Sequence, residues 1–196
     1  MTITEYLNSY GFYDFEGYSQ QVPKQVEDLI TLTSGSEIHV MEIGFNAGHS
    51  AEVFLQNNPT LSLTSFDLGS HPYVSTAKEY IDKTYPNRHI LILGDSTISV
   101  PLYINDNPGK TFDVIFIDGG HDYQIANADL INCKNLSNKD TVVIIDDTIY
   151  TSGWKEWYTL GPTKTWVENL NNDAIRELNR VEYSSGRGMS WGKYVF

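Results

Sequence analysis

The chain has 196 residues, 40% apolar and 19% charged, a composition that suits one soluble globular domain and excludes an intrinsically disordered chain. Its formal net charge of -12 repels phosphate backbones, and with no Lys/Arg cluster to reverse it locally, DNA or RNA is excluded as a bulk partner. A lone cysteine, Cys133, allows no intrachain disulfide; with no secretory pattern at the start and no apolar run near 18 residues, the expectation is a cytoplasmic protein that neither spans nor binds a membrane.

Residues 1–18 are rich in aromatics: Tyr6, Tyr10, Phe12, Tyr13, Phe15 and Tyr18. They read as a lid or packing segment, with a substrate-contacting arm as the sharper alternative. The spacing of Val22, Val26, Leu29 and Ile30 predicts a helix over 20–33, stopped by Gly35. From there apolar runs over 38–43, 61–66, 89–93, 112–117 and 141–145 read as buried strands. Helix-like stretches near 47–57, 74–84, 96–104 and 121–135 separate them. This alternation implies right-handed crossovers and a mostly parallel sheet. A helix near 163–171 follows, then strand-like runs at 177–183 and 189–196. The turn Ser184, Ser185, Gly186, Arg187, Gly188 between those runs makes them an antiparallel pair. The fold expected is a doubly wound α/β domain over 36–196, its mostly parallel seven-stranded sheet ending in an antiparallel strand. A helical and aromatic segment, 1–35, precedes it.

In open α/β sheets ligands bind beyond the carboxyl ends of the strands, so the residues after each apolar run carry the information. The first run leads into Glu42-Ile-Gly44-Phe-Asn46-Ala-Gly48-His-Ser50. Two glycines four apart allow a tight turn and close backbone approach to a ligand, above a helix N-terminus with free N–H groups. This is not the dinucleotide fingerprint G-x-G-x-x-G. Glu42 would also repel a pyrophosphate, so a ligand with a cationic centre fits better. The second run ends at Asp67, 25 residues after Glu42, where a carboxylate can accept both ribose hydroxyls of a nucleoside. The third ends at Gly94-Asp95-Ser96, a place for adenine; a plain helix N-cap is the other reading of Asp95 or Ser96.

The fourth run enters Asp118-Gly119-Gly120-His121-Asp122-Tyr123, and the fifth enters Asp146-Asp147. Adjacent strands bring Asp118, Asp146 and Asp147 to one sheet edge, where three carboxylates repel unless protonated or bound to a cation. Oxygen ligands suit Mg²⁺, with Ca²⁺ or Mn²⁺ as alternatives; caps of the following loops are the other reading.

Taken in order, these positions resemble the class I S-adenosylmethionine-dependent methyltransferases over about residues 36 to 196. Five parallel strands closed by an antiparallel pair are that family's usual layout, and E-I-G-F-N-A-G-H-S is similar to its first motif. The resemblance implies that Gly44, Asn46, Gly48 and Ser50 hold the methionine end of S-adenosylmethionine, with Glu42 close by. Asp67 would take the ribose, and Asp95 and Ser96 would flank the adenine. Asp118 and Asp146, 28 residues apart and followed by a second acid, resemble the metal-dependent small-molecule O-methyltransferases of the catechol and macrolide-sugar types. There the corresponding residues ligate Mg²⁺, which binds two neighbouring oxygens of a small-molecule acceptor. The resemblance is nearer the sugar type at Asp147, and departs from it at Gly120, where that type often carries an acid. His121, three residues after Asp118, stands where catechol-type enzymes place their basic residue; with Asp118 it is the catalytic candidate, a packing histidine being the bland reading. His49 and His71 read as structural. Trp154, Trp157 and Tyr158 read as an acceptor wall or as core. The rival readings are a nucleobase N-methyltransferase, which would carry an Asn/Asp-Pro-Pro-aromatic run after the fourth strand, a nicotinamide oxidoreductase, and a non-catalytic binding module of the same fold.

Overall fold

Successive residues of a strand face opposite sides, so a strand covered on both faces must be apolar at nearly every position. The runs over 114–117 and 142–145 satisfy that requirement, while the runs over 39–43 and 62–67 carry Glu42, Thr64 and Ser65 as buried polar residues. The computed structural model describes residues 1–151, 156–183 and 186–196. Its strands are β1 (His39–Ile43), β2 (Ser62–Asp67), β3 (His89–Leu93), β4 (Val114–Ile117), β5 (Val142–Asp146), β6 (Ile175–Glu182) and β7 (Gly188–Tyr194). The helices are α1 (Ile3–Ser9), α2 (Pro23–Leu32), α3 (His49–Asn57), α4 (Val74–Thr84), α5 (Ser96–Asp106), α6 (Tyr123–Cys133) and α7 (Trp157–Asn171).

All seven strands form one sheet in the order β3-β2-β1-β4-β5-β7-β6. Strands β1 to β5 run parallel, and β7 lies antiparallel between β5 and β6. The order reverses between β1 and β4, and at such a switch point the two outgoing loops part and leave a crevice. One core, with Val40, Phe54, Leu63, Phe116 and Ile144, lies under α1 to α4. The other, with Met41, Phe66, Ile115, Leu130, Ile145 and Trp166, lies under α5 to α7.

The amino-terminal segment is part of the first core. Thr2 and Glu5 form a reciprocal capping box at α1, a device that satisfies two free N–H groups, and Ile3 and Leu7 are fully buried. Tyr18 stacks on His49 with ring centroids 3.8 Å apart.

Several helix bounds shift by two or three residues, the helix expected over 20–33 being α2 after a 3-10 turn over Ser19–Gln21, and one helix departs further. Helix α7 starts at Trp157, not near 163, because the Gly161-Pro162 pair that reads as a boundary lies inside it. A Cβ at Gly161 would stand 2.0 Å from the His121 carbonyl; the glycine is there for close packing of α7 on the loop after β4. The stretch expected over 121–135 starts at Tyr123 and ends at Cys133, with a 3-10 turn over Lys134–Leu136. Trp154, Ser184 and Ser185 lie outside the described residues. No helix among the described residues is long and apolar enough to cross a membrane.

Candidate active site

A cavity of about 670 Å³ opens where the sheet order reverses. The turn after β1 forms its floor. Gly44 has φ +100°, and a Cβ there would sit 2.0 Å from the Asp118 carbonyl oxygen. Only glycine lets the β1 turn lie this close to the end of β4. Asn46 is also left-handed, at φ +49°, and donates its N–H to Asp67 Oδ2 at 2.7 Å. Asp67 Oδ1 accepts from the Gly69 N–H at 2.7 Å. The carboxylate is therefore fixed in place by backbone, with its remaining lone pairs available to hydroxyls in the cavity. Tyr73 donates to Asn46 Oδ1 at 2.7 Å and steadies the turn.

Of the residues expected at the methionine end, Gly44 and Asn46 line the cavity, while Glu42, Gly48 and Ser50 stand behind it. Glu42 is fully buried and accepts from Ser50 Oγ at 2.8 Å and Ser65 Oγ at 2.6 Å. Burial pushes its carboxyl up to about 7. Ser50 thus spends its hydroxyl on Glu42, which fixes the base of the turn. Gly48, at φ +76°, packs on Ile3 and Phe45. The sequence places all three near the ligand, but β1 and α3 turn them toward the core.

Asp95 and Ser96 both border the cavity. Asp95 also caps α5, accepting from the Thr97 N–H at 2.9 Å and Thr97 Oγ1 at 2.7 Å. Those bonds hold its carboxyl below its ordinary value. The cap reading and the cavity reading of this residue therefore hold together. His71, read as structural, stacks on Tyr73, but it also lines the cavity and faces Glu16 at 3.4 Å. His49 is buried and held down to about 4 by burial.

The acids at the ends of β4 and β5 lie near enough for Asp146 and Asp147 both to raise Asp118, but their side chains do not all point into the cavity. Neighbouring strand residues point to opposite faces. Asp146, last in β5 and 1% exposed, turns to α2, where Gln25 Nε2 donates to its Oδ1 at 2.7 Å. Asp147 takes a left-handed φ of +57° and faces the cavity instead. Its Oδ2 lies 3.0 Å from His121 Nε2. Among the described residues, the His, Cys, Asp and Glu groups whose ligand atoms all lie within 4.8 Å of one another are Asp118, His121 and Asp147, without Asp146.

Sequence reasoning missed a cation. Arg187, from the β6–β7 turn, places Nε 3.5 Å from Asp147 Oδ1 and Nη2 3.5 Å from Asp146 Oδ2. Its one visible signal is a basic residue in a Gly-rich turn of an acidic chain. Burial, then Asp146 and Asp147, raise Asp118 well above the carboxylate range. Burial raises Asp146 to about 7. For His121 burial alone would lower the pKa, but the hydrogen bond and charge of Asp147 leave it raised. An imidazole in place of a third oxygen, with a guanidinium between two of the acids, does not fit the oxygen-only Mg²⁺ site expected from spacing. The aromatic wall lies beside this group: His121 contacts the rings of Trp157 and Tyr158, each at 5.8 Å between centroids.

A parallel sheet with an antiparallel β7, a glycine turn at the switch point and a carboxylate after β2 define a class I methyltransferase fold. Residues 41–148 match the family model described as a methyltransferase domain. That span is more than half the chain, and the protein belongs to this family as a S-adenosylmethionine-dependent methyltransferase. No curated protein sequence matches the chain. Among solved structures, it is similar to an O-methyltransferase from Bacillus cereus in complex with S-adenosylhomocysteine, with a TM-score of 0.71, 17% identity, and coverage of 97% of this chain and 88% of that one. It is similar to the O-methyltransferase TomG of tomaymycin synthesis from Streptomyces achromogenes, in complex with S-adenosylmethionine (0.72, 15%, 99% and 88%). It is also similar to the N-methyltransferase NodS from Bradyrhizobium japonicum (0.64, 15%, 89% and 96%). At these identities the likeness is one of fold, and a fold shared by O- and N-methyl transfer does not by itself choose the acceptor atom.

Proposed function

We propose that the protein methylates a hydroxyl of a small molecule, a phenol or a sugar, with His121 as the general base. S-adenosylmethionine supplies an electrophilic methyl group on a sulfonium. The glycine turn at Gly44 and Asn46 leaves room for its methionine end, Asp67 accepts from its ribose, and Asp95, Ser96 and Gly119 border the space for its adenine. The observation that carries the reading is the 3.0 Å His121–Asp147 pair facing the same cavity. With Nε2–H donated to Asp147, the lone pair of Nδ1 is left to accept the acceptor's proton, the logic of an oriented imidazole base. Trp157 and Tyr158 offer aromatic faces to a ring. Glu16, Gly17 and Gln21 line the cavity from the amino-terminal side, which supports a lid role for residues 16–21 of the 1–35 segment, whose Ile3, Leu7 and Leu29 are core.

The test is transfer of isotopically labelled methyl from S-adenosylmethionine to a panel of small phenols and sugars. Label is expected on an acceptor oxygen with wild type, and its loss with His121→Ala. Label on nitrogen, or transfer indifferent to His121→Ala, would overturn the reading.

A further inference from the structure

The acids at this sheet edge carry their counter-charge within the chain. Arg187 is 11% exposed. Besides its contacts with Asp146 and Asp147, it donates through Nη1 to the Tyr18 carbonyl at 3.1 Å. It also lines the cavity, so it lies at the acceptor site and not under it. Its guanidinium keeps its charge at any working pH and cannot leave by losing a proton. A divalent cation entering beside Asp147 would meet this like charge, and would compete with His121 for the other carboxylate oxygen.

We propose that Arg187 is the resident counter-ion of the acceptor site: a positioning residue that holds Asp147, and through it His121, where a divalent cation would otherwise be needed, so that transfer is metal-independent. The inference rests on the methyl-transfer reading of the cavity. In the step, the acceptor oxygen forms a bond to the methyl carbon as the carbon–sulfur bond breaks. The electron pair of that bond stays on sulfur, and the hydroxyl proton passes to His121. Without a cation to chelate paired oxygens, the acceptor needs a single hydroxyl.

The test uses full-length protein freed of metal with EDTA, melted with and without Mn²⁺ or Mg²⁺, and needs neither methyl donor nor acceptor. Wild type and Arg187→Lys, both with a cation in place, should show no shift at millimolar metal. Arg187→Met should gain a saturable Mn²⁺-dependent rise of at least about 3 °C, lost again when Asp147→Asn is added. Should Arg187→Met not fold, Arg187→Gln is read for Mn²⁺ binding by electron paramagnetic resonance, with gain of binding expected. Stabilisation of wild type by either metal, or a metal-indifferent Arg187→Met or Arg187→Gln, would overturn the proposal. Labelled-methyl transfer by wild type should survive EDTA unchanged; transfer abolished by EDTA would also overturn it. Absence of transfer under any condition would instead overturn the hydroxyl-methylation reading and leave the melting result standing.

Discussion

Replacing Asp67 by alanine should weaken binding of the adenosine part of the ligand without dissolving the fold. The carboxylate is held by the Asn46 and Gly69 N–H groups, each at 2.7 Å, and lies half-buried on the cavity wall. A hydrogen bond to a charged acceptor contributes about 1.5–3 kcal/mol when geometry is fixed in advance. Partial exposure and the loss of an entire bidentate acceptor work in opposite directions, so the same range serves for the site as a whole. At 1.4 kcal/mol per decade this is roughly a 10- to 150-fold rise in Kd. The two N–H groups released are near solvent and can bond to water, so the stability cost should stay near 1 kcal/mol. Calorimetric titration with S-adenosylhomocysteine reads the effect. Adenosine alone should lose the same factor, because the contact assigned to Asp67 is to the ribose. Unchanged affinity in a variant with a wild-type melt would refute the ribose assignment.

His121→Ala should lower kcat by about 10²–10⁴ while leaving S-adenosylhomocysteine affinity in place. The base must be neutral, so kcat in wild type should rise with pH through a midpoint above the ordinary histidine value. Asp147→Asn, which removes the hydrogen-bonded charge favouring the imidazolium, should lower that midpoint. Gly44→Ala puts a Cβ 2.0 Å from the Asp118 carbonyl at φ +100°, and should cost about 1–3 kcal/mol or more in denaturant unfolding. Glu42 titrates near 7 in the fold against 4.5 in the unfolded chain. As pH rises between those values the unfolded chain releases the proton first, so this group costs stability across that window. Glu42→Gln should therefore gain on wild type in melting temperature as pH climbs through it.

The strands were legible because burial on both faces favours apolar runs, unbroken over 114–117 and 142–145, and the antiparallel tail because a Gly-rich turn joins two short runs. The start of α7 was hidden because Gly161 and Pro162 usually punctuate, whereas here the glycine answers a contact with His121, remote in sequence. Gly44, Asp67 and the His121 loop could be placed on the cavity by counting from strand ends. That rule sets an element's end but not the rotation of its last residues, and so Glu42 and Asp146 point inward. Arg187 comes from the other end of the chain, and no local pattern announces that a turn 40 residues after Asp147 will return to it.

A crystal structure with S-adenosylhomocysteine bound tests the central claim most directly. The ribose hydroxyls should lie within about 3.2 Å of the Asp67 carboxylate, the adenine beside Ser96 and Gly119, and the sulfur should face the His121–Asp147 pair across the space for one acceptor hydroxyl. A ligand seated elsewhere, or one whose sulfur faces away from His121, would contradict it.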